Sequence, residues 1–176
     1  MPRWSHVVVH HSLSADTELV NTVAIRKFHT SFRHYGDIIT EEDYHEKKAE
    51  GVSGLSRPWK DIGYHWLVER FPDGVPSVVQ GRDMMMHGAH CREQGMNRRG
   101  IGVCVIGNFD KAPPPEDIFE KAAFHVSWLC RMYRVPIENI KGHTEYATYK
   151  SCPGKLFDMD YFRERVEDYL ERWNPS

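Results

Sequence analysis

The apolar residues in the first half of the chain predict strands and one helix in alternation. Three consecutive valines in the segment 5–12 (SHVVVHHS) predict a buried strand followed by a loop. Apolar spacing over 20–32 predicts a helix that begins near Asn21 or Thr22. Alternating residues at 63–69 and 75–80, on either side of a turn, predict a hairpin.

The second half completes an α/β pattern. The continuous apolar run 100–107 predicts a central strand that is covered on both faces. Helical spacing predicts a helix from about 116 to 133 and a last one over about 160–173, with a short strand before His143. Strand, helix, hairpin, strand, helix, strand and helix predict a single α/β domain with a central mixed β-sheet flanked by helices.

Residues 37–58 do not fit this compact order. A capping segment at Thr40 predicts a helix that ends at Gly51, and 52–58 is predicted to be a loop. We interpret 37–58 as an insertion that flanks the functional cleft and contacts substrate. The alternative is a solvent-exposed decoration without a role in binding.

Composition narrows the class of protein. The chain has 176 residues, 40% of them hydrophobic and 27% charged, which suits one soluble globular domain. A net charge of −2 gives no basic excess for nucleic acid, and no apolar run has membrane-spanning length. The first strand follows the start at once, so we expect no signal peptide and synthesis in the cytoplasm. We also expect a monomer.

The four cysteines, Cys91, Cys104, Cys130 and Cys152, allow two disulfides in principle. Their spacing is irregular and a chain of this length needs no covalent staples. Cys104 lies in an apolar strand pattern and Cys130 in a helical one. We therefore expect buried free thiols and one metal thiolate.

The segment 141–154 carries the candidate chemistry. His143 and Cys152 stand nine positions apart, and a Pro-Gly turn follows the cysteine. Imidazole nitrogen and thiolate sulfur both suit Zn²⁺, and a catalytic zinc uses three protein ligands. His10, at the end of the first strand, is the predicted third ligand, because strand ends hold ligands in place before the ion arrives. A lone histidine there would more often be a core residue with a backbone partner.

Six separated motifs then carry a resemblance. They are VVHHS (8–12), DIGYHW (61–66), GRD (81–83), GAH (88–90), Asn97 with GIGV (100–103), and GH (142–143) with KSCPG (150–154). In this order the chain resembles the type 2 N-acetylmuramoyl-L-alanine amidases, which include small phage endolysins and animal peptidoglycan recognition proteins. The resemblance implies their fold, and one zinc amidase catalytic domain over 1–176. It also implies one zinc ion and cleavage of the amide between N-acetylmuramic acid and L-alanine in peptidoglycan or a muropeptide.

The resemblance also implies roles for individual residues. Tyr64 and Lys150 match the catalytic tyrosine and lysine of the family, where they would stabilise an oxyanion. Without the resemblance they would be a half-buried packing tyrosine and a solvated lysine. His90 and Asn97 match rim positions that lie near the peptide stem, which predicts a substrate-binding role for both.

One departure from the family leaves the general base open. Some bacterial members place a glutamate in the central strand as proton acceptor, and here the aligned residue is Cys104. The proton would then pass to Tyr64, to solvent or to the substrate. Glu145 is a further candidate for the base, although a surface or supporting role suits it better.

The biological role has three readings. We expect an endolysin that acts at the cell wall after release from a lysing host. A cytoplasmic amidase that recycles soluble muropeptides is one alternative, and a non-catalytic peptidoglycan-binding or regulatory protein is the other. Retention of Tyr64, Lys150 and Cys152 favours an enzyme.

Overall fold

The computed structural model describes residues 4–14 and 20–173. Residues 1–3, 15–19 and 174–176 lie outside these ranges. They include both ends of the predicted domain 1–176 and the start of the chain, where we expect no signal peptide. In chain order the strands and helices are β1 (His6–His11), α1 (Thr22–His29), β2 (Phe32–His34), β3 (Asp37–Ile39), α2 (Glu41–Ala49), β4 (Leu55–Ser56), β5 (Trp66–Arg70), β6 (Pro76–Gln80), α3 (Met96–Arg99), β7 (Gly100–Val105), α4 (Glu116–Tyr133), β8 (Ile140–Gly142) and α5 (Met159–Trp173).

A five-stranded mixed sheet forms the centre of the molecule, in the order β6-β5-β7-β1-β8. β1 runs parallel to both β7 and β8, β5 runs parallel to β7, and only β6 is antiparallel to its neighbour. All six residues of β7 are buried. The predicted central strand and the α/β fold with a mixed sheet are confirmed.

The two faces of the sheet carry different apolar clusters. Val7 and Val9 of β1 belong to the main core with side chains of α4 and α5. Cys104 of β7 belongs to the opposite cluster, against which Ile25 of α1 packs. Since successive strand residues point to opposite faces, β1 directs Val8 and His10 away from α4 and α5.

The first helix is shorter than its apolar spacing predicts. Asn21 caps it, because its side chain accepts a hydrogen bond from the Ala24 amide at 3.0 Å. The helix ends at His29, however, and Phe32 begins β2. Phe32 is apolar because its ring packs against Tyr44 of α2, although its spacing from Phe28 also fits a helix.

The predicted insertion folds around a small second sheet. α2 has the predicted start, where Thr40 and Asp43 form a reciprocal capping box. The prediction of a loop over 52–58 is wrong in part, because β4 pairs with β2 in a three-stranded sheet of order β3-β2-β4. All of residues 37–58 are described and none of them lines the cleft that is described below, whereas Trp59 does. Contact of the insertion with substrate stays a prediction.

All four cysteines are free and buried, as predicted. Within the described ranges, no helix has both the length and the apolar character needed to cross a membrane.

We predict that the fold loses stability on mild acidification through its buried neutral histidines. Burial lowers the pKa of His125 to about 4, and its Nε2 has no hydrogen-bond partner in the described part of the chain. Because this pKa lies below that of the unfolded chain, the contribution to stability is full above about pH 6.5 and falls as the pH approaches about 4. One such histidine removes about 2 kcal/mol between pH 7 and pH 5.

His125→Phe keeps an aromatic ring beside Trp66, whose ring centroid lies 4.6 Å from that of His125. Urea unfolding at pH 7 and pH 5 should show a smaller acid-induced loss in this variant, by about 2 kcal/mol. The exposed His87→Asn should lose as much as the parent chain. Equal losses in all three proteins would contradict the prediction.

Candidate active site

Two of the three predicted zinc ligands lie at the ends of neighbouring parallel strands. Val9 of β1 pairs with Gly142 of β8. His10 follows Val9, and His143 follows Gly142, so the two histidines lie side by side. Their ring centroids are 4.7 Å apart, and only 1% of His10 and 6% of His143 is exposed. Carboxyl ends of parallel strands meet at one edge of a sheet, which explains why residues far apart in sequence meet here.

Cys152 completes the group from a loop that folds back onto β8. The Thr144 amide donates to the Cys152 carbonyl at 2.8 Å. A Cβ on Gly142 would lie 2.7 Å from Pro153 Cδ, so only glycine permits this close approach. The donor atoms of His10, His143 and Cys152 all lie within 4.8 Å of one another, and all three residues are buried.

This donor set fits a zinc ion. Two imidazole nitrogens and one sulfur are ligands that zinc prefers, and three of them leave one position for water or substrate. Burial, and then the neighbouring His90 and His143, lower the pKa of His10 well below its usual value, which keeps the ring in the neutral form that binds metal. Burial raises the pKa of the Cys152 thiol, while a backbone hydrogen bond with His11 and the charge of Lys150 oppose that rise.

His90 is a hydrogen-bond partner of His10. Its Nε2 lies 3.1 Å from the Gly100 carbonyl oxygen, and a carbonyl only accepts, so Nε2 carries the proton. Its Nδ1 then accepts from His10 Nε2 at 3.0 Å. His10 is left with Nδ1 as the nitrogen free for a metal. A Cβ on Gly102 would lie 2.5 Å from the His90 ring, so this glycine leaves room for the ring.

Asn97 fixes the loop that carries His90. Its Oδ1 accepts from the backbone amides of His90 and Cys91 at 2.7 Å and 2.8 Å. Both predicted substrate-binding residues line the cleft, and both also hold its wall in place. Contact of His90 and Asn97 with substrate stays a prediction.

Tyr64 lies just before β5, rather than on the strand as predicted, with its ring centroid 5.1 Å from that of His10. Burial, followed by the neighbouring Cys104 and Cys152 thiols, raises the pKa of Tyr64 well above its usual value. The phenol therefore keeps its proton near neutral pH. This favours Tyr64 as a hydrogen-bond donor and disfavours it as the proton acceptor.

One cleft of about 590 Å³ brings the predicted site residues together. Its lining includes all seven of them: His10, Tyr64, His90, Asn97, His143, Lys150 and Cys152. Lys150 is exposed, with its Nζ 5.5 Å from the centroid of the Tyr149 ring.

A family model described as N-acetylmuramoyl-L-alanine amidase matches residues 1–155. The chain belongs to the N-acetylmuramoyl-L-alanine amidase family. The endolysin of Enterobacteria phage T3 is 42% identical over 115 residues, which cover 62% of this chain and 68% of the phage protein. The endolysin of Escherichia phage T7 is 33% identical with the same coverage. The predicted family and its amidase activity are confirmed.

Solved structures share the fold of this amidase. N-acetylmuramoyl-L-alanine amidase LysC from Clostridium intestinale superposes with a TM-score of 0.60 at 20% identity, covering 94% of this chain and 86% of LysC. Bumblebee PGRP-SA gives a TM-score of 0.62 at 20% identity, covering 97% of this chain and 84% of the other.

Glu145, the further candidate for the general base, and two buried histidines of the amidase are held by hydrogen bonds outside the donor group. Glu145 Oε1 accepts from the Gly142 amide and from Arg163, both at 2.7 Å, and its Oε2 lies 3.1 Å from Lys141 Nζ. His11 accepts from the Phe109 amide at 3.1 Å, and His29 from the Gly63 amide at 3.1 Å. Both histidines therefore support the backbone of neighbouring segments.

Trp59 and Glu93 lie in the cleft wall of the amidase but were not predicted from the sequence. Trp59 stacks on His29, with ring centroids 4.5 Å apart, and is 39% exposed. Glu93 contacts His143 across the cleft wall. No period or spacing marks either residue, because each contact joins segments that are distant in sequence.

We predict that His90 supports metal binding through His10. His90→Ala removes the acceptor of the His10 Nε2 proton, so the His10 ring is no longer held in orientation. Loss of such a partner typically weakens metal affinity by about 10–100-fold. Competition with a chromogenic chelator would measure the Zn²⁺ Kd, and exposed His87→Ala is the control. Equal affinities of His90→Ala and His87→Ala would refute this role.

Proposed function

We propose that the chain is a zinc-dependent amidase that hydrolyses the amide between the lactyl group of N-acetylmuramic acid and L-alanine. His10, His143 and Cys152 would hold one zinc ion. The observation that carries this proposal is the buried group of three donors within 4.8 Å, in one cleft with Tyr64 and Lys150. Membership of the N-acetylmuramoyl-L-alanine amidase family supports the same reaction.

The residues of the chain supply the remaining catalytic groups. A zinc ion bound there would activate water and polarise the substrate carbonyl. Tyr64 donates a hydrogen bond from its protonated phenol to the oxyanion that develops on the carbonyl oxygen. Lys150 adds a positive charge at the exposed side of the same cleft, which favours the same developing negative charge.

Cys104, which replaces the glutamate of some family members, does not accept the proton in this proposal. Burial raises the pKa of the Cys104 thiol well above its usual value, so it stays protonated. Glu93 also lines the cleft, but a hydrogen bond from Tyr149 lowers its pKa to about 2, which makes it a weak base. The proton that the attacking water loses therefore passes to solvent or to the leaving amine.

The biological role that we propose is that of an endolysin. The relatives from phages T3 and T7 are both named endolysins, and each match covers 68% of the phage protein. The chain would be made in the cytoplasm, act as a monomer and reach the peptidoglycan of the cell wall when the host lyses.

We predict chelator-sensitive release of L-alanine amino groups from purified sacculi, without release of reducing sugars. Cys152→Ala should abolish this release together with tight zinc binding, because the thiolate is one of three ligands. Cys130→Ala, at a buried thiol on α4 outside the cleft, is the matched control. Binding to sacculi without release in the presence of zinc would leave a recognition module. Activity on soluble muropeptides alone would indicate a recycling amidase.

We predict that Tyr64 acts on the transition state rather than on the metal. Tyr64→Phe should lower kcat by about 10²–10³-fold, since one oxyanion donor is lost. The Zn²⁺ Kd should stay within about twofold of the parent value, because the hydroxyl is not a predicted ligand. Tyr161→Phe on α5, 41% exposed, is the control. An unchanged kcat in Tyr64→Phe would show that the phenol does not stabilise the oxyanion.

A further inference from the structure

The two histidines of the donor group differ in what holds their rings. His10 has His90 at 3.0 Å from its Nε2. His143 Nε2 is buried and has no hydrogen-bond partner within the described residues. A histidine that binds a metal normally donates its other ring N–H to a carboxylate, a carbonyl or water. The environment of His143 Nε2 should therefore contain such an acceptor.

Glu93 presents a carboxylate to this nitrogen. Glu93 Oε2 lies 3.6 Å from His143 Nε2, and the Glu93 side chain is only 18% exposed. The other oxygen, Oε1, accepts from the Tyr149 hydroxyl and from Arg92 Nε, the latter at 3.2 Å. With Oε1 held by two donors, Oε2 faces His143 and the Cys91 thiol, whose sulfur lies 3.6 Å away.

The backbone around Glu93 is fixed on both sides. Before it, the Cys91 amide donates to Asn97 Oδ1. After it, Gln94 and Gly95 both adopt left-handed conformations, with φ of 49° and 72°. A non-glycine residue in this region costs free energy and persists where the surroundings require it. Glu93 therefore lies between a backbone segment held by Asn97 and a turn of defined conformation.

Glu93 also reaches the loop between His143 and Cys152. Its partner Tyr149 precedes Lys150, and the Lys150 Nζ lies 5.5 Å from the Tyr149 ring centroid. One carboxylate therefore contacts a metal-ligand histidine with one oxygen and the lysine-bearing loop with the other.

We propose that Glu93 is a positioning residue for this site. Its Oε2 accepts the Nε2 proton of His143 and leaves Nδ1 for the metal, while its Oε1 holds Tyr149 and with it the loop that carries Lys150. The inference rests on the proposed zinc-dependent function. It adds a carboxylate–histidine–metal relay to a site whose central strand carries Cys104 in place of a glutamate.

The test compares Glu93→Gln, Tyr149→Phe and Cys91→Ser with the parent chain. Glu93→Gln keeps the size and one acceptor oxygen but removes the charge that faces His143, so the Zn²⁺ Kd should rise about 10–100-fold. The absorption spectrum of the Co²⁺-loaded protein should also shift, because the His143 ring changes orientation. Tyr149→Phe should lower kcat and leave the Zn²⁺ Kd within about threefold, since Oε2 still faces His143.

Cys91→Ser is the matched control, because Cys91, Glu93 and His143 also place their donor atoms within 4.8 Å of one another. Its Zn²⁺ Kd should stay within about threefold of the parent value, because the charged carboxylate still faces His143. A second zinc equivalent that is lost in both Cys91→Ser and Glu93→Gln would overturn the inference, since Glu93 would then be a ligand itself.

Two other outcomes separate this inference from the proposed function. If the parent chain binds one zinc through Cys152 and Glu93→Gln matches it in Kd and Co²⁺ spectrum, the positioning role is wrong and the zinc amidase stands. If the parent chain binds no zinc, the proposed function fails and the inference fails with it. A thermal melt of each metal-free variant shows whether Glu93→Gln folds, and Glu93→Asp should restore part of the affinity if folding is intact.

Discussion

The site depends on the register of β1 against its two parallel neighbours. Val9 pairs with Gly142, and His10 pairs with Cys104. One strand therefore aligns His10, a candidate metal ligand, with β8 on one side and with the central strand on the other. A shift of one residue would turn His10 towards α4 and α5, because strand residues alternate between faces. The three valines of β1, all fully buried, oppose any such shift, since every slip exposes apolar surface or buries an imidazole in the wrong cluster. The same strand register therefore both packs the core and places His10 at the candidate site.

The same burial sets the protonation state of the site. The rings of His90 and His143 both lie beside that of His10. Burial lowers the pKa of each of the three histidines, which favours the neutral form that can bind a cation. The Tyr64 phenol and the Cys104 thiol are held neutral by burial as well. Neutral imidazoles leave their nitrogen lone pairs available to a divalent ion, whose own charge would then dominate the local field. His125 is buried outside the cleft, and burial lowers its pKa to about 4 as well, although it takes no part in the donor group.

Local pattern predicted the parts of the fold that local interactions determine. α4 has the predicted bounds because its apolar residues repeat over many turns, and the start of α1 follows from the Asn21 cap. β2 and β4 were missed because strands of three and two residues are too short to show a period. The meeting of His10 with His143 was expected from strand ends, whereas the roles of Tyr64 and Lys150 came from family resemblance. Glu93 was not predicted at all, because its partners lie on a loop that only the tertiary fold brings near.

The candidate ligands and catalytic groups differ in what holds them, and this explains where additional support is needed. His10 and His143 are fixed by strands of the central sheet, which are rigid and buried. Cys152 and Lys150 come from a loop. This loop depends on the Thr144–Cys152 hydrogen bond and on contacts with the opposite wall of the cleft, which residues 89–97 form. A site on loops reaches productive geometry only if neighbouring residues restrict those loops. Asn97 and Glu93 both lie on that opposite wall, where Asn97 binds the backbone before Glu93 and Glu93 binds Tyr149. These contacts would therefore restrict the loop that carries Lys150 and Cys152, which the strands of the sheet do not hold directly.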